Sequence, residues 1–349
     1  MPIILADCAV PTNWEMAELQ RELYPRFADR YAFQILPFRS TNASEIVLRQ
    51  PDILKGLTQH RGLAKPTLHI PNSERYNVFG KQCKLEPSYW GEHDSIGEEE
   101  LTKYGQPGTC GQPIDLTWYM GQLLENLAER AYNRMEQLIW NTLFFGRYQA
   151  ISQSGIVMFE AQFNTQQASA GVPWTNLSGS FPLRDFRSLK LLERGTSASF
   201  GLCARYIMNQ ETFNLLLANT NPNDVGRIGL SACCQFMSPE LINQQFSAQG
   251  LGSFVIYDKG YVDGDGNFQL YIPFGYVLVV GCRPNNEPIG NFWYTRNATQ
   301  CNISTGMWNY IWDSCGKERP PRVIELHQGW NGGPAIHYPR AIVVLRVAG

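Results

Sequence analysis

The feature that most constrains this chain is an unbroken helical stripe near its middle. From Ile114 to Phe145 there is no proline and a single glycine, Gly121. Leu116, Met120, Leu123, Leu127, Ala131, Met135, Leu138, Thr142 and Phe145 recur at i, i+3/i+4 spacing. That rhythm predicts one helix of about nine turns. Pro113 and Asp115 are start signals and Gly146 is a stop signal. At the α-helical rise the helix is roughly 48 Å long. No comparable pattern follows to form a bundle with it. A long helix without a bundle predicts an elongated molecule that takes part of its burial from neighbours, hence an assembly subunit rather than a compact enzyme.

Composition agrees. A chain of 349 residues can hold two domains and a sizeable core. Charged residues are only 17%, which suits interface-rich surfaces and a large core alike. The formal net charge of −2 gives no sign of a dedicated nucleic-acid binder, which would carry a strongly basic patch. No run of 18 apolar residues exists, so no membrane-spanning helix and no membrane partner are expected. The Met-Pro-Ile-Ile-Leu-Ala-Asp start lacks a basic segment ahead of its short apolar run, which predicts cytoplasmic synthesis. The nine cysteines are scattered, odd in number and without a C-x-x-C pair, and are expected as free thiols.

Along the chain, residues 1–55 read as an arm. They carry a short helix from Trp14 to Tyr24, capped by Thr12 or Asn13 and ended by Pro25, and then a strand from Phe33 to Phe38. Residues 56–112 are turn-rich, with Pro66, Pro71, Gly80, Pro87, Gly91, Gly97 and Gly105 punctuating strands at Thr67–Ile70 and Tyr76–Phe79. This is an expected extended loop, long for a compact domain, and its aromatics argue against disorder. Its charge is divided. Arg61, Lys65, Arg75, Lys81 and Lys84 precede an acidic stretch ending in Glu98, Glu99 and Glu100. With Tyr76, Phe79, Tyr89 and Trp90, and with Glu129 on the outer face of the long helix, these are the candidate intersubunit contacts; a merely solvated loop is the bland alternative.

Downstream, strands are expected at Gly155–Ala161, Ala204–Asn209, Phe254–Tyr257, Tyr276–Val280 and Ala341–Val347. Helices are expected from Leu183 to Leu192, started by Pro182, and from Glu211 to Ala218. Asp263–Asn267 reads as a hairpin turn. Helices and strands interleave without a regular βαβ period, so the fold class is α+β.

Catalytic and metal motifs are absent. Asp263, Asp265 and Asn267 mimic the start of a calcium loop, but Phe268 and Phe274 stand where Gly and Glu are required. The five histidines show no metal spacing, and there is no phosphate-binding glycine loop. No cofactor and no enzymatic activity are expected. An intracellular Cys–His hydrolase and a carbohydrate-binding virion decoration protein are the more distant readings.

The order of elements, with certain local runs, resembles the major capsid proteins of tailed bacteriophages, in particular the lambda-like capsid protein E group. The runs are Ile256-Tyr257-Asp258, Tyr261, the Asp263–Gly266 turn, Tyr271-Ile272-Pro273, Gly275 and Val277-Leu278. Arg205–Asn209 with Thr212, and Tyr338–Ile342, add to it. The resemblance implies the Hong Kong 97-like fold. Its parts would be an N-terminal arm over 1–55, an extended loop over 56–112 and a peripheral domain over 113–185 with the spine helix 114–145. An axial domain over 186–320 and a return strand over 321–349 would complete it. It implies a shell subunit that assembles as pentamers and hexamers around double-stranded DNA contacted non-specifically. Separate scaffolding, portal and decoration proteins would be its partners, with assembly in a host cytoplasm and residence in the virion. An encapsulin-type compartment shell protein is the nearest alternative.

Overall fold

A computed structural model describes residues 13–43, 46–49, 82–86, 88–97, 116–151, 156–194, 196, 198–221, 223–224, 239–263, 265–283, 287–297, 306–314 and 323–348. In chain order the helices are α1 (Asn13–Ala28), α2 (Tyr31–Ile35), α3 (Leu116–Phe145), α4 (Pro182–Leu189), α5 (Gln210–Leu217) and α6 (Pro239–Ala248). The strands are β1 (Phe38–Ser40), β2 (Ile46–Arg49), β3 (Gln82–Leu85), β4 (Ser88–Ile96), β5 (Arg147–Ile151), β6 (Val157–Gln162), β7 (Gln166–Ser169) and β8 (Arg205–Met208). They continue with β9 (Ser253–Ile256), β10 (Gly260–Val262), β11 (Phe268–Leu270), β12 (Tyr276–Val280), β13 (Gly290–Tyr294), β14 (Met307–Asp313), β15 (Ile324–Ile336) and β16 (Ile342–Arg346). The class is α+β, as expected. The expected strands Thr67–Ile70 and Tyr76–Phe79, and the cap residue Thr12, lie outside the described residues. Two compact units divide the chain. One is drawn from Met1–Ile46, Glu86–Leu138 and Phe292–Gly333, the other from Val47–Leu85, Ile139–Asn291 and Pro334–Gly349.

In the first unit the sheet is built around β15, which pairs antiparallel with β4 and with β14 and also joins β13. β1 extends the sheet parallel to β13, with Phe38 opposite Phe292. The helix α3 supplies Leu116, Met120, Leu124 and Leu127 to a core with Met16, Ile96, Ile324 and Leu326. The stripe read from sequence is therefore the buried face, with two amendments. Phe145, expected inside, is 65% exposed, and the Arg147 guanidinium lies over its ring. The buried face is also wider, taking in Ala128, Tyr132 and Glu136. Glu136 is tolerated there because Arg30 reaches it at 3.0 Å.

Two expectations for the arm are corrected. Pro25 does not end α1, which continues to Ala28. Pro costs one backbone hydrogen bond and a clash with the preceding turn. The turns around it are held by Tyr24 and Phe27, whose rings meet Tyr132 at 5.8 and 5.9 Å. The run Phe33–Phe38 is not one strand. Residues 31–35 turn as α2, burying Ala32, Phe33 and Ile35, before β1 begins at Phe38. The rings of Phe33 and Phe38 lie 4.6 Å apart. A helical turn brings them together, whereas the alternation of a strand would not.

In the second unit a five-stranded mixed sheet runs β7-β16-β12-β8-β9. β12 is antiparallel to both neighbours, with Leu278 facing Val344 and Ile207. Val277, Val279, Val343 and Leu345 point to one core, where Phe186 of α4, Phe213 of α5 and Phe246 of α6 cover them. Phe186 meets Trp174 edge-on at 5.3 Å and Phe254 at 5.3 Å. The C-terminal end of α3 joins this unit through Trp140 on Tyr257 at 5.1 Å and Phe144 on Tyr276 at 6.4 Å. Gly146 ends the helix in the left-handed region, at φ 62°, as its stop signal required. The strands and helices expected after it agree to within a few residues; Gly155, the expected start of β6, lies outside the described residues.

The free-thiol expectation is corrected at one place. Cys203 and Cys282, 79 residues apart, are paired as a disulfide with Cα atoms 5.8 Å apart. β8 and β12 are neighbours, and the bridge between Ser199 and Cys282 brings the two flanking segments together. Of the other seven cysteines only Cys83 falls in a described element. Among the described residues no helix is long and apolar enough to cross a membrane.

Candidate functional site

Of the expected contact residues, Arg61, Lys65, Arg75, Tyr76, Phe79, Lys81, Glu98, Glu99 and Glu100 lie outside the described residues. Lys84 is placed in β3 by its backbone alone. Tyr89, Trp90 and Glu129 are placed in full, and the first two sit differently from the sequence reading. Ser88–Ile96 was expected within the extended loop and is instead strand β4, in register with β15 from Ile96↔Ile324 to Ser88↔Gly332. The loop reading came from the punctuation by Pro87, Gly91 and Gly97, and the polar residues between them are what a strand with one solvated face shows.

The two faces of this strand differ. Inward, Trp90 stacks on Trp330 with centroids 5.9 Å apart and planes at 14°. Arg134 of α3 lies 4.6 Å over the Trp90 ring, and Arg130 reaches Glu92 at 2.9 Å. Trp90 is half-buried and packs within its own unit through these two contacts. Outward, Tyr89 is 74% exposed. Next along this face, His93 stacks on the directly opposite His327 at 5.1 Å, and His327 Nε2 lies 2.8 Å from Glu325 Oε2. Tyr310 flanks His327 at 6.4 Å. Trp308 lies across Gly91 and Gly329, where a Cβ at Gly329 would come within 2.5 Å of the indole. The glycines are therefore the floor on which the ring lies flat. Glu129 is exposed on α3, two residues from the buried Leu127.

Chemically this face offers flat aromatic surface, two imidazoles and a carboxylate. Among the described residues no group of three His, Cys, Asp or Glu is placed to hold a metal ion. The acidic turn at Asp263 is a hairpin turn between β10 and β11, as expected. Asp263 Oδ1 accepts hydrogen bonds from the backbone N–H groups of Asp265 and Asn267. The backbone bond from Asn267 is the chief reason its carboxyl titrates below the usual range.

In the second unit the residue runs that carried the resemblance are tied to one another. The side chain of Asn209 caps α5 by accepting from Thr212 N–H at 2.8 Å. Thr212 Oγ1 accepts from Gly275 N–H at 2.9 Å, and Asp258 Oδ1 accepts from Gln210 N–H at 2.8 Å. Nearby, the buried Asp224 accepts from Leu183 and Arg184 N–H at the start of α4. Asp185 accepts from Trp174 Nε1–H at 3.0 Å. Burial raises both carboxyls above the ordinary range, against the pull of those hydrogen bonds. The His93–His327 stack and the Cys203–Cys282 and Arg30–Glu136 pairs were not visible in sequence, since each joins distant residues with no local pattern. β4 was not read as a strand, because Gly91 and the polar run Glu92–Ser95 interrupt any apolar alternation.

No family model and no curated protein matches the chain. Solved structures do. A protein assigned as a prophage capsid protein from Escherichia coli CFT073 superposes with TM-score 0.57 at 17% identity, covering 97% of this chain and 99% of that one. A phage-related protein from Bordetella bronchiseptica RB50 matches with TM-score 0.52 at 11% identity, over 97% and 98%. A virus-like particle protein from Pyrococcus furiosus matches with TM-score 0.50 at 14% identity, over 95% and 100%. Identities this low carry the fold and nothing more. The fold is the α+β phage-capsid fold of the Hong Kong 97 type.

Proposed function

We propose that this chain is the structural shell subunit of a tailed-bacteriophage capsid, of the lambda-like capsid protein E kind. It assembles as pentamers and hexamers into an icosahedral shell around double-stranded DNA. It is not an enzyme. A separate scaffolding protein, a portal and decoration proteins are its partners, it assembles in the host cytoplasm, and the virion is its final location. The observation that carries this reading is the end-to-end match with the prophage capsid protein, 97% of one chain against 99% of the other. The fit runs through the whole architecture rather than one module. The exposed aromatic and imidazole face of β4, β15 and β14 supports it, because large apolar surface on a subunit marks contact with a partner. A near-neutral chain also suits a wall that must release packaged DNA.

Sedimentation velocity on the full-length protein, alone and with a scaffolding partner, tests the reading. Oligomers of five and six copies, and closed particles, are expected. Particles that retain protein cargo and no nucleic acid would favour the compartment-shell alternative. A monomer at every concentration and salt would contradict both.

A further inference from the structure

Two exposed features of the second unit complement one another. The first is the hairpin β10–β11. Val262 and Phe268 are directly opposed across it and are 65% and 61% exposed. The Phe268 ring lies against Gly260 on the facing strand, which keeps it flat on the ribbon surface. The two strands form a sheet of their own. A two-stranded ribbon is marginal in water, so burying its apolar pair stabilises it. Its turn is acidic. The hydrogen bonds that hold Asp263 below the usual carboxylate range fix one negative charge, and the exposed Asp265 adds another.

The second feature is the outer face of α4 and the 3-10 turn after it (Lys190–Glu193). Arg184, Arg187 and Arg194 are exposed and Lys190 is half-buried. Leu191 and Leu192 stand among them, 54% and 36% exposed. Asp185 and Asp224 offset part of the charge of Arg184 and Arg187 from within the unit. Asp185 is buried on Trp174, and Glu193 is taken up by Phe200 N–H at 2.9 Å.

Resting on the shell-subunit reading, we infer that the β10–β11 hairpin of one copy docks on the α4 face of a second copy. Val262 and Phe268 cover Leu191 and Leu192, while Asp263 and Asp265 meet Arg187, Lys190 and Arg194. The apolar pair supplies the burial, and the charges set register and orientation. Every copy carries both halves on different elements, so the contact is head-to-tail, the kind that closes a ring where the rotation between copies closes.

The test uses the full-length protein with benzoylphenylalanine in place of Phe268, mixed from isotopically light and heavy copies and irradiated in the assembled state. Crosslinked peptides joining position 268 of one label to residues 182–194 of the other are expected. Charge reversal supplies the second arm. Asp265→Lys and Arg194→Glu each lower the association constant roughly tenfold, because like charges then face each other. Both in one chain restore it, and melts of the dispersed variants check that each is folded. Assembly of the unaltered protein with crosslinks elsewhere overturns this contact and leaves the shell reading intact. So do single reversals that assemble normally. Reversals that assemble normally but lose co-purifying DNA also overturn it, assigning the basic face to nucleic acid. A protein that never self-associates overturns both.

Discussion

Leu127 and Glu129 set the residue scale, because they lie two positions apart and face opposite ways. Leu127 is 2% exposed, in contact with the sheet of its own unit. Leu127→Ala is expected to cost about 2–5 kcal/mol, from lost transfer energy and a residual cavity. Leu127→Pro costs more, by removing a helix hydrogen bond. Glu129→Ala leaves the melt of the dispersed subunit within about 0.5 kcal/mol. Equal losses for the two alanine variants in thermal melts would mean that α3 has no distinct inner face. Asp185 gives a pH prediction. Its folded-state pKa is raised by burial, while the unfolded chain titrates near ~3.9. The contribution of the protonated form is therefore complete below ~3.9 and is lost as pH rises through the folded value. Asp185→Asn keeps an acceptor for Trp174 Nε1–H and never charges. The variant should match the wild type in acid and melt above it at neutral pH; a gap that widens toward acid would contradict this. The inner and outer positions of α3 were legible because 3.6-residue periodicity places residues 127 and 129 about 200° apart. The partners of Trp90, Cys203 and His93 were not legible, since each depends on the register of strands far apart in sequence.

At the scale of elements, β4 is the strand whose role changed most between sequence and structure. It pairs with β15 over its whole length and brings Ile96 into the core with Leu127. Deleting Ser88–Ile96 should therefore unfold the first unit, lowering its melting temperature or abolishing the transition in calorimetry. A deletion that melts like the wild type would show β4 to be dispensable, as a free loop would be. The cap of α5 is a finer test. Asn209→Ala removes the hydrogen bond to Thr212 N–H and should cost about 0.5–2 kcal/mol in denaturant unfolding. An unchanged midpoint would place the stabilisation elsewhere. The helices, the hairpin turn and the apolar strands β12 and β16 were legible, since periodicity, caps and turn residues are local signals. The continuation of α1 past Pro25 was not, because aromatic contacts with Tyr132 outweigh a local breaker.

At the scale of the molecule, the long helix and the interleaved α+β body are the fold that matches a solved prophage capsid protein end to end, and the proposed shell subunit rests on that match. Its exposed groups follow the same logic. Tyr89, Val262 and Phe268 are each more than half exposed, and each belongs to a strand paired with one neighbour, β4 with β15 and β10 with β11. Under the shell proposal neighbours cover these side chains, and in a closed shell many modest contacts would act together. Electron cryomicroscopy of the full-length protein, expressed alone and with a scaffolding partner, addresses this most directly. The account predicts closed icosahedral particles whose density takes the present fold in five-fold and six-fold rings. Monodisperse single subunits under every condition, with intact folded cores and no rings, would contradict it.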